Sequence, residues 1–141
     1  MATKTTFTDV RDLMYILMYL TKDNITGERI DGVSENIYMD ALPTTMPNDI
    51  KQCVLLDFES NIVNMNAFEY GTIRVHLLVQ DEDSGALLGD MERNFIDTIR
   101  KYEQSADAGV IGLRMRYKYA AHDPNRKLRG FVQELLLTIK E

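Results

Sequence analysis

Apolar residues recur at helical spacing early in the chain. Thr6-Phe7-Thr8-Asp9 has the threonine-x-x-acid pattern of a helix start, and Val10, Leu13, Met14, Leu17 and Leu20 follow as one stripe, so the spacing predicts a helix over residues 6–21. Tyr15, Ile16, Met18 and Tyr19 occupy its other sides, and a helix apolar all round is buried all round. A second subunit would cover such a helix, which makes Tyr15, Met18 and Tyr19 candidates for protein contact. The chain's own sheet would cover it equally well.

Beyond this stripe the period shortens. Gly27, Asp31 and Gly32 mark a turn or small hairpin over 24–32. Residues 36–42 alternate as a strand that stops at Pro43, residues 43–49 read as a loop, and Cys53-Val54-Leu55-Leu56 centres an apolar strand over 51–58. Residues 59–68 are rich in asparagine and show no period, which predicts a long exposed loop. Such loops carry function in compact domains, so Ile62 and Met65 are further contact candidates. Residues 70–80 interleave Thr72, Ile73, Val75 and Val79 with Arg74 and His76, the clearest strand in the chain. Asp81-Glu82-Asp83-Ser84 then opens a helix in which Leu88, Met91, Phe95, Ile99 and Tyr102 form one face. Two strands follow, over 110–120 and 130–139, separated by a loop holding His122, Asp123, Pro124 and Asn125.

The expected order is therefore α-β-β-β-α-β-β in one domain over residues 1–141. Its class is α+β, with an antiparallel or mixed sheet of about five strands and two helices packed on it. The length of 141 residues and the balance of 45% hydrophobic against 27% charged residues fit one globular core. Cys53 is the only cysteine, so neither an intrachain disulfide nor a cysteine-based zinc site can form, which fits a reducing compartment. The apolar segment 13–20 is far shorter than the roughly 20 residues a membrane helix needs, and no targeting leader is expected. A net charge of −6 argues against bulk attraction to nucleic acid or anionic membranes.

Catalytic chemistry finds no support. His76 and His122 lack an accompanying nucleophile motif, and neither Gly-x-Ser-x-Gly nor a phosphate-cradling glycine loop occurs. Asp81, Asp83 and Glu92 echo a calcium loop, but Gly85 and Ala86 fall where a ligand and an obligatory glycine belong. No catalytic set, cofactor or metal is expected. The basic residues are more informative, since six of the 16 fall close together. Alternation over 110–120 sets Arg114, Arg116 and Lys118 on one face opposite Leu113, Met115, Tyr117 and Tyr119, with Arg126, Lys127 and Arg129 following. These six predict a contact surface for an acidic partner or for DNA passing nearby. A solvated sheet face is the plainer reading.

Taken together, Ile37-Tyr38-Met39-Asp40-Ala41-Leu42-Pro43 before Cys53-Val54-Leu55-Leu56, and Gly71-Thr72-Ile73-Arg74-Val75-His76-Leu77-Leu78-Val79 before the helix, resemble the phage tail terminator and tail-completion (head-tail joining) proteins. The resemblance spans nearly the whole chain in pattern, although the first helix is unusually apolar and Leu42 stands where a small residue commonly precedes the proline. It implies a structural protomer, not an enzyme, that assembles into a ring, usually a hexamer, at the end of the tail tube. There it would stop tube growth and join the tube to the head connector, in the host cytoplasm during assembly and then in the virion tail or neck. Its implied partners are other copies of itself, tail tube protein and connector protein, with DNA nearby and no membrane. An adaptor unrelated to phages, and less readily a small enzyme, are the alternative classes.

Overall fold

In the computed structural model, residues 15, 18, 19, 25, 26, 32–47, 50–58, 62–65, 68–80, 85–103 and 110–140 are described, with the backbone alone for 62–65, 68–71, 101–103, 110–113 and 137–140. Along them run β1 (Ile37–Met39), β2 (Gln52–Asp57), β3 (Ile62–Met65), β4 (Phe68–Gln80), α1 (Gly85–Glu103), β5 (Val110–Asp123) and β6 (Leu128–Lys140). Five strands lie in the order β1-β2-β4-β6-β5, and β3 also pairs with β4. The β1–β2 pair is parallel and all others are antiparallel, so the sheet is mixed and the class is α+β.

Two expectations need correction. The described residues hold six strands and one helix, in the order β-β-β-β-α-β-β, where five strands and two helices were expected. Of the helix expected over 6–21, only Tyr15, Met18 and Tyr19 are described. The Tyr19 N–H donates to the Tyr15 carbonyl at 3.0 Å, a helical hydrogen bond, and the rest of that expectation lies outside the described residues. Nor is the stretch 59–68 a long loop, because Ile62–Met65 forms β3, with Met65 opposite Phe68 and Ile62 opposite Gly71. The reason lies in β4. It has 13 residues, and on one edge β2 pairs only Arg74–Val79, so β3 takes up backbone groups of Phe68–Gly71 that would otherwise be open.

Register determines which side chains share a face. Val54, Leu56, Ile73, Val75, Leu77, Phe131 and Leu135 lie on one side, and Met91, Phe95 and Ile99 of α1 close over them. Their spacing of four residues keeps these three on one face of the helix. Met18 and Val33 join this core, fastened by the Val33 N–H to the Met18 carbonyl at 2.9 Å. The other side carries Cys53, Leu55, Asp57, Arg74, His76, Leu78, Leu128, Val132 and Glu134. There a second, smaller cluster forms, in which Leu42, Met46 and Ile50 of the segment after β1 pack on Cys53, Leu78 and Leu128. The rest of this side has no helix over it among the described residues, and it is the open face below.

Candidate functional site

β5 ends the sheet, and the basic residues expected to project together from it do not. The register runs Met115 opposite Leu135 and then Lys118 opposite Gln133, three residues against two, which is a β-bulge at Arg116 and Tyr117. One extra residue inverts the alternation. Arg114 lies on the open face opposite Leu136, whereas Lys118 lies on the helix side, where its ammonium pairs with Glu92 of α1 and sits 4.4 Å from the centre of the Phe131 ring. Arg116 stacks over its neighbour Tyr117, with the guanidinium carbon 5.2 Å from the ring centre. The buried Gln133 amide of β6 donates to the Tyr117 carbonyl at 3.1 Å, so a side chain of the neighbouring strand satisfies the bulge. Met115 and Tyr119, expected on one face, are likewise separated, since Met115 lies on the helix side opposite Leu135 and Tyr119 on the open side opposite Val132, and Tyr117 and Tyr119 are both exposed, at 62% and 46%.

The second half of the basic group divides in the same way. Arg126 is not a free contact residue. Its backbone N–H and Nη1 donate to the two Asp123 carboxylate oxygens at 3.1 and 2.7 Å, and its Nε donates to the Pro43 carbonyl at 2.7 Å. The β5–β6 turn is thereby fastened to the segment that follows β1. The Arg126 hydrogen bonds, side chain first, hold the Asp123 carboxyl below its ordinary pKa. Lys127 occupies a left-handed backbone position, φ 56°, as the last residue of the turn before β6. Arg129 is exposed on β6, opposite His122 and Val79.

Between the Ala41–Leu42 segment and β5, the open face forms a cavity of about 520 Å³. Leu55, Leu78 and Val132 come to it from three different strands, with Tyr119 and Ala121 along the β5 side and Asp123 and Arg126 also lining it. His76, between Arg74 and Leu78 on β4, also lines it. The ring is half-buried, its Nε2 is shielded from solvent and has no hydrogen-bond partner among the described residues. Burial lowers the imidazole pKa from its ordinary value; nearby Asp57 acts to raise it and Arg74 to lower it. Cys53 is sealed beneath the adjoining cluster, where burial pushes its thiol up to about 12 and leaves it protonated and inert at neutral pH. No sequence motif marks this cavity, because its residues come from β2, β4, β5 and β6 and meet only through register.

The remaining candidates divide. Met18 is fully buried in the protomer's own core, which removes it from any contact surface. Tyr15 and Tyr19 are exposed at 40% and 39% and stack on each other, ring centres 5.8 Å apart. Ile62 and Met65 lie on β3, and their side chains are outside the described residues. Among the described residues no group of three or more His, Cys, Asp or Glu side chains could hold a metal ion, and no helix is long and apolar enough to cross a membrane. No family model matches the chain, and no curated protein matches it.

Proposed function

We propose that this chain is a structural, self-associating subunit of the phage tail terminator kind, a ring former that ends a tail tube and joins it to the head connector. The observation that supports this reading most is the outer edge of β5. It is a 14-residue strand at the end of the sheet, and among the described residues nothing pairs with its outer side. An open edge of that length is a template for another strand, and proteins that do not use one blunt it. Here the bulge and the cations Arg114 and Arg116 limit uncontrolled pairing, while exposed Tyr117 and Tyr119 offer rigid contact area of the kind enriched at interfaces. The cations also favour an acidic neighbour, which other copies of a chain carrying −6 can supply.

Head-to-tail contacts close a ring at a definite copy number. Light scattering at micromolar and higher concentrations is expected to show a hexamer-sized species, either alone or on addition of tail tube protein. A strict monomer under both conditions would sink the terminator reading. The same open edge also suits an adaptor that captures one extended segment of another protein, and a stable monomer or dimer that binds such a segment would favour that class. Because Lys118 is held by Glu92, the informative charge reversal is Arg114→Glu with Arg116→Glu. It is expected to abolish the ring at low salt and to do so less at high salt.

A further inference from the structure

We propose that the cavity on the open face is a binding site for a neutral, largely apolar small molecule carrying one hydroxyl group, of the alkylphenol kind, whose hydroxyl meets the His76 imidazole. This goes beyond the assembly role and does not depend on it.

A volume of about 520 Å³ lies within the roughly 300–1,000 Å³ usual for small-molecule sites. Leu55, Leu78 and Val132 supply an apolar lining and Tyr119 a flat aromatic wall, which together suit a ring with a short alkyl chain. Charge is the next constraint. The two ionic side chains that line the cavity neutralise each other, since Asp123 and Arg126 are 2.7 Å apart and the guanidinium also donates to the Pro43 and Leu42 carbonyls. A charged ligand would have to break that arrangement to find a counter-ion, whereas a neutral one leaves it intact.

His76 then selects the polar group. Its Nε2 is shielded and without a partner among the described residues, a costly state for a polar atom. A half-turn of the ring about Cβ–Cγ exchanges Nε2 with Cε1 and Nδ1 with Cδ2 and preserves the ring outline, so the bound hydroxyl selects the ring orientation that brings a nitrogen to it. A hydroxyl satisfies it in either tautomer, because it donates to a bare nitrogen and accepts from a protonated one. The lowered pKa keeps the imidazole neutral near pH 7, which again fits a neutral ligand.

The test uses 4-propylphenol, propylbenzene and 4-propylbenzoate as probes of the full-length chain, followed by amide and imidazole NMR shifts. The phenol is expected to bind and to shift His76 together with Leu55, Leu78 and Val132, with the benzoate roughly tenfold or more weaker. His76→Phe keeps an aromatic ring, slightly larger, and removes the nitrogens, so it is expected to cost the phenol about tenfold more than it costs propylbenzene. Ala41→Trp, at an exposed rim position, is expected to block all three while leaving the dispersion of the spectrum intact. Equal effects of His76→Phe on the phenol and on propylbenzene overturn the proposal, as does binding of the benzoate as tight as that of the phenol. Phenol binding to monomer that vanishes in self-associated protein would assign the cavity to a neighbouring copy, and also overturns it.

Discussion

The two faces of this sheet are built by the same strands with the same alternation, yet they end in different states. On the helix side, Val54, Leu56, Ile73, Val75, Leu77 and Leu135 are all fully buried, because α1 lays Met91, Phe95 and Ile99 over them. On the open side, Leu55 and Val132 are buried as well, but the intervening positions Asp57, Arg74, His76 and Glu134 are partly exposed, and among the described residues it is the segment after β1, packed on Cys53, Leu78 and Leu128, that covers part of this side. Alternation thus sorts residues into two sets. How completely a set becomes core depends on what is laid over it, and the less covered side is where the cavity occurs and where the imidazole Nε2 has no partner among the described residues.

The largest test of that contrast is truncation on each side. Phe95→Ala removes a buried ring from beneath the helix and is expected to cost about 3–5 kcal/mol. Tyr119→Ala, at the half-exposed rim of the cavity, is expected to cost about 1 kcal/mol or less. Urea unfolding monitored by circular dichroism measures both, and equal losses would erase the distinction between the faces. Next in size is Gly130→Ala. A Cβ at this position would run into the Leu77 backbone carbonyl on the neighbouring strand, and main chain cannot step aside as a side chain can. We expect a loss of about 2–3 kcal/mol. A neutral result would show that β4 and β6 can part there.

Much of this arrangement was legible from the chain itself. The apolar run at Cys53–Leu56, the β-branched alternation through Ile73, Val75 and Val79, and the spacing of Met91, Phe95 and Ile99 each specified an element, because burial of one face leaves a period in sequence. What was hidden depends on pairing. Nothing in Arg114-Met115-Arg116-Tyr117-Lys118 announces a bulge, since the extra residue is extra only relative to β6, and one such residue was enough to move Lys118 from the expected basic face to the ion pair with Glu92. β3 was missed for a related reason. Ile62-Val63-Asn64-Met65 is too short to show a period, and its pairing answers the exposed edge of β4 rather than a pattern of its own. The cavity was invisible because four strands contribute to it.

Intermediate in size is the fastening of the cavity's end by Arg126. Its hydrogen bonds to the Asp123 carboxylate and to the Pro43 carbonyl are charge-assisted and partly shielded, so Arg126→Ala is expected to cost about 1.5–3 kcal/mol. Lysine presents one ammonium in place of the planar fork, so Arg126→Lys is expected to recover less than half of the loss. Full recovery would mean that charge alone matters at this position. Loss of the fastening should also loosen the segment after β1, read as a larger increase in amide exchange at Asp40, whose N–H donates to the Leu56 carbonyl, than at Leu77 beneath the helix.

The smallest effect concerns acid, and it acts through one half-buried ring on the open face. In the unfolded chain the His76 imidazole takes up a proton near its ordinary value of 6.5, whereas burial holds the folded ring below that value. Over the interval between the two, the unfolded chain binds more protons, so acid favours unfolding. The stability that depends on a neutral His76 is therefore complete above about pH 6.5, declines as the pH falls below it, and stops declining once the folded ring is protonated as well. Asp123 also loses stability in acid, but its folded pKa lies below 3.8, so its contribution disappears in a separate and lower range. Unfolding free energies of wild type and His76→Phe, compared at about pH 7.5 and about pH 5.5, isolate the imidazole from the carboxylates. Wild type should lose more over that interval than the variant, whereas parallel losses would mean that His76 is as well solvated in the folded chain as in the unfolded one.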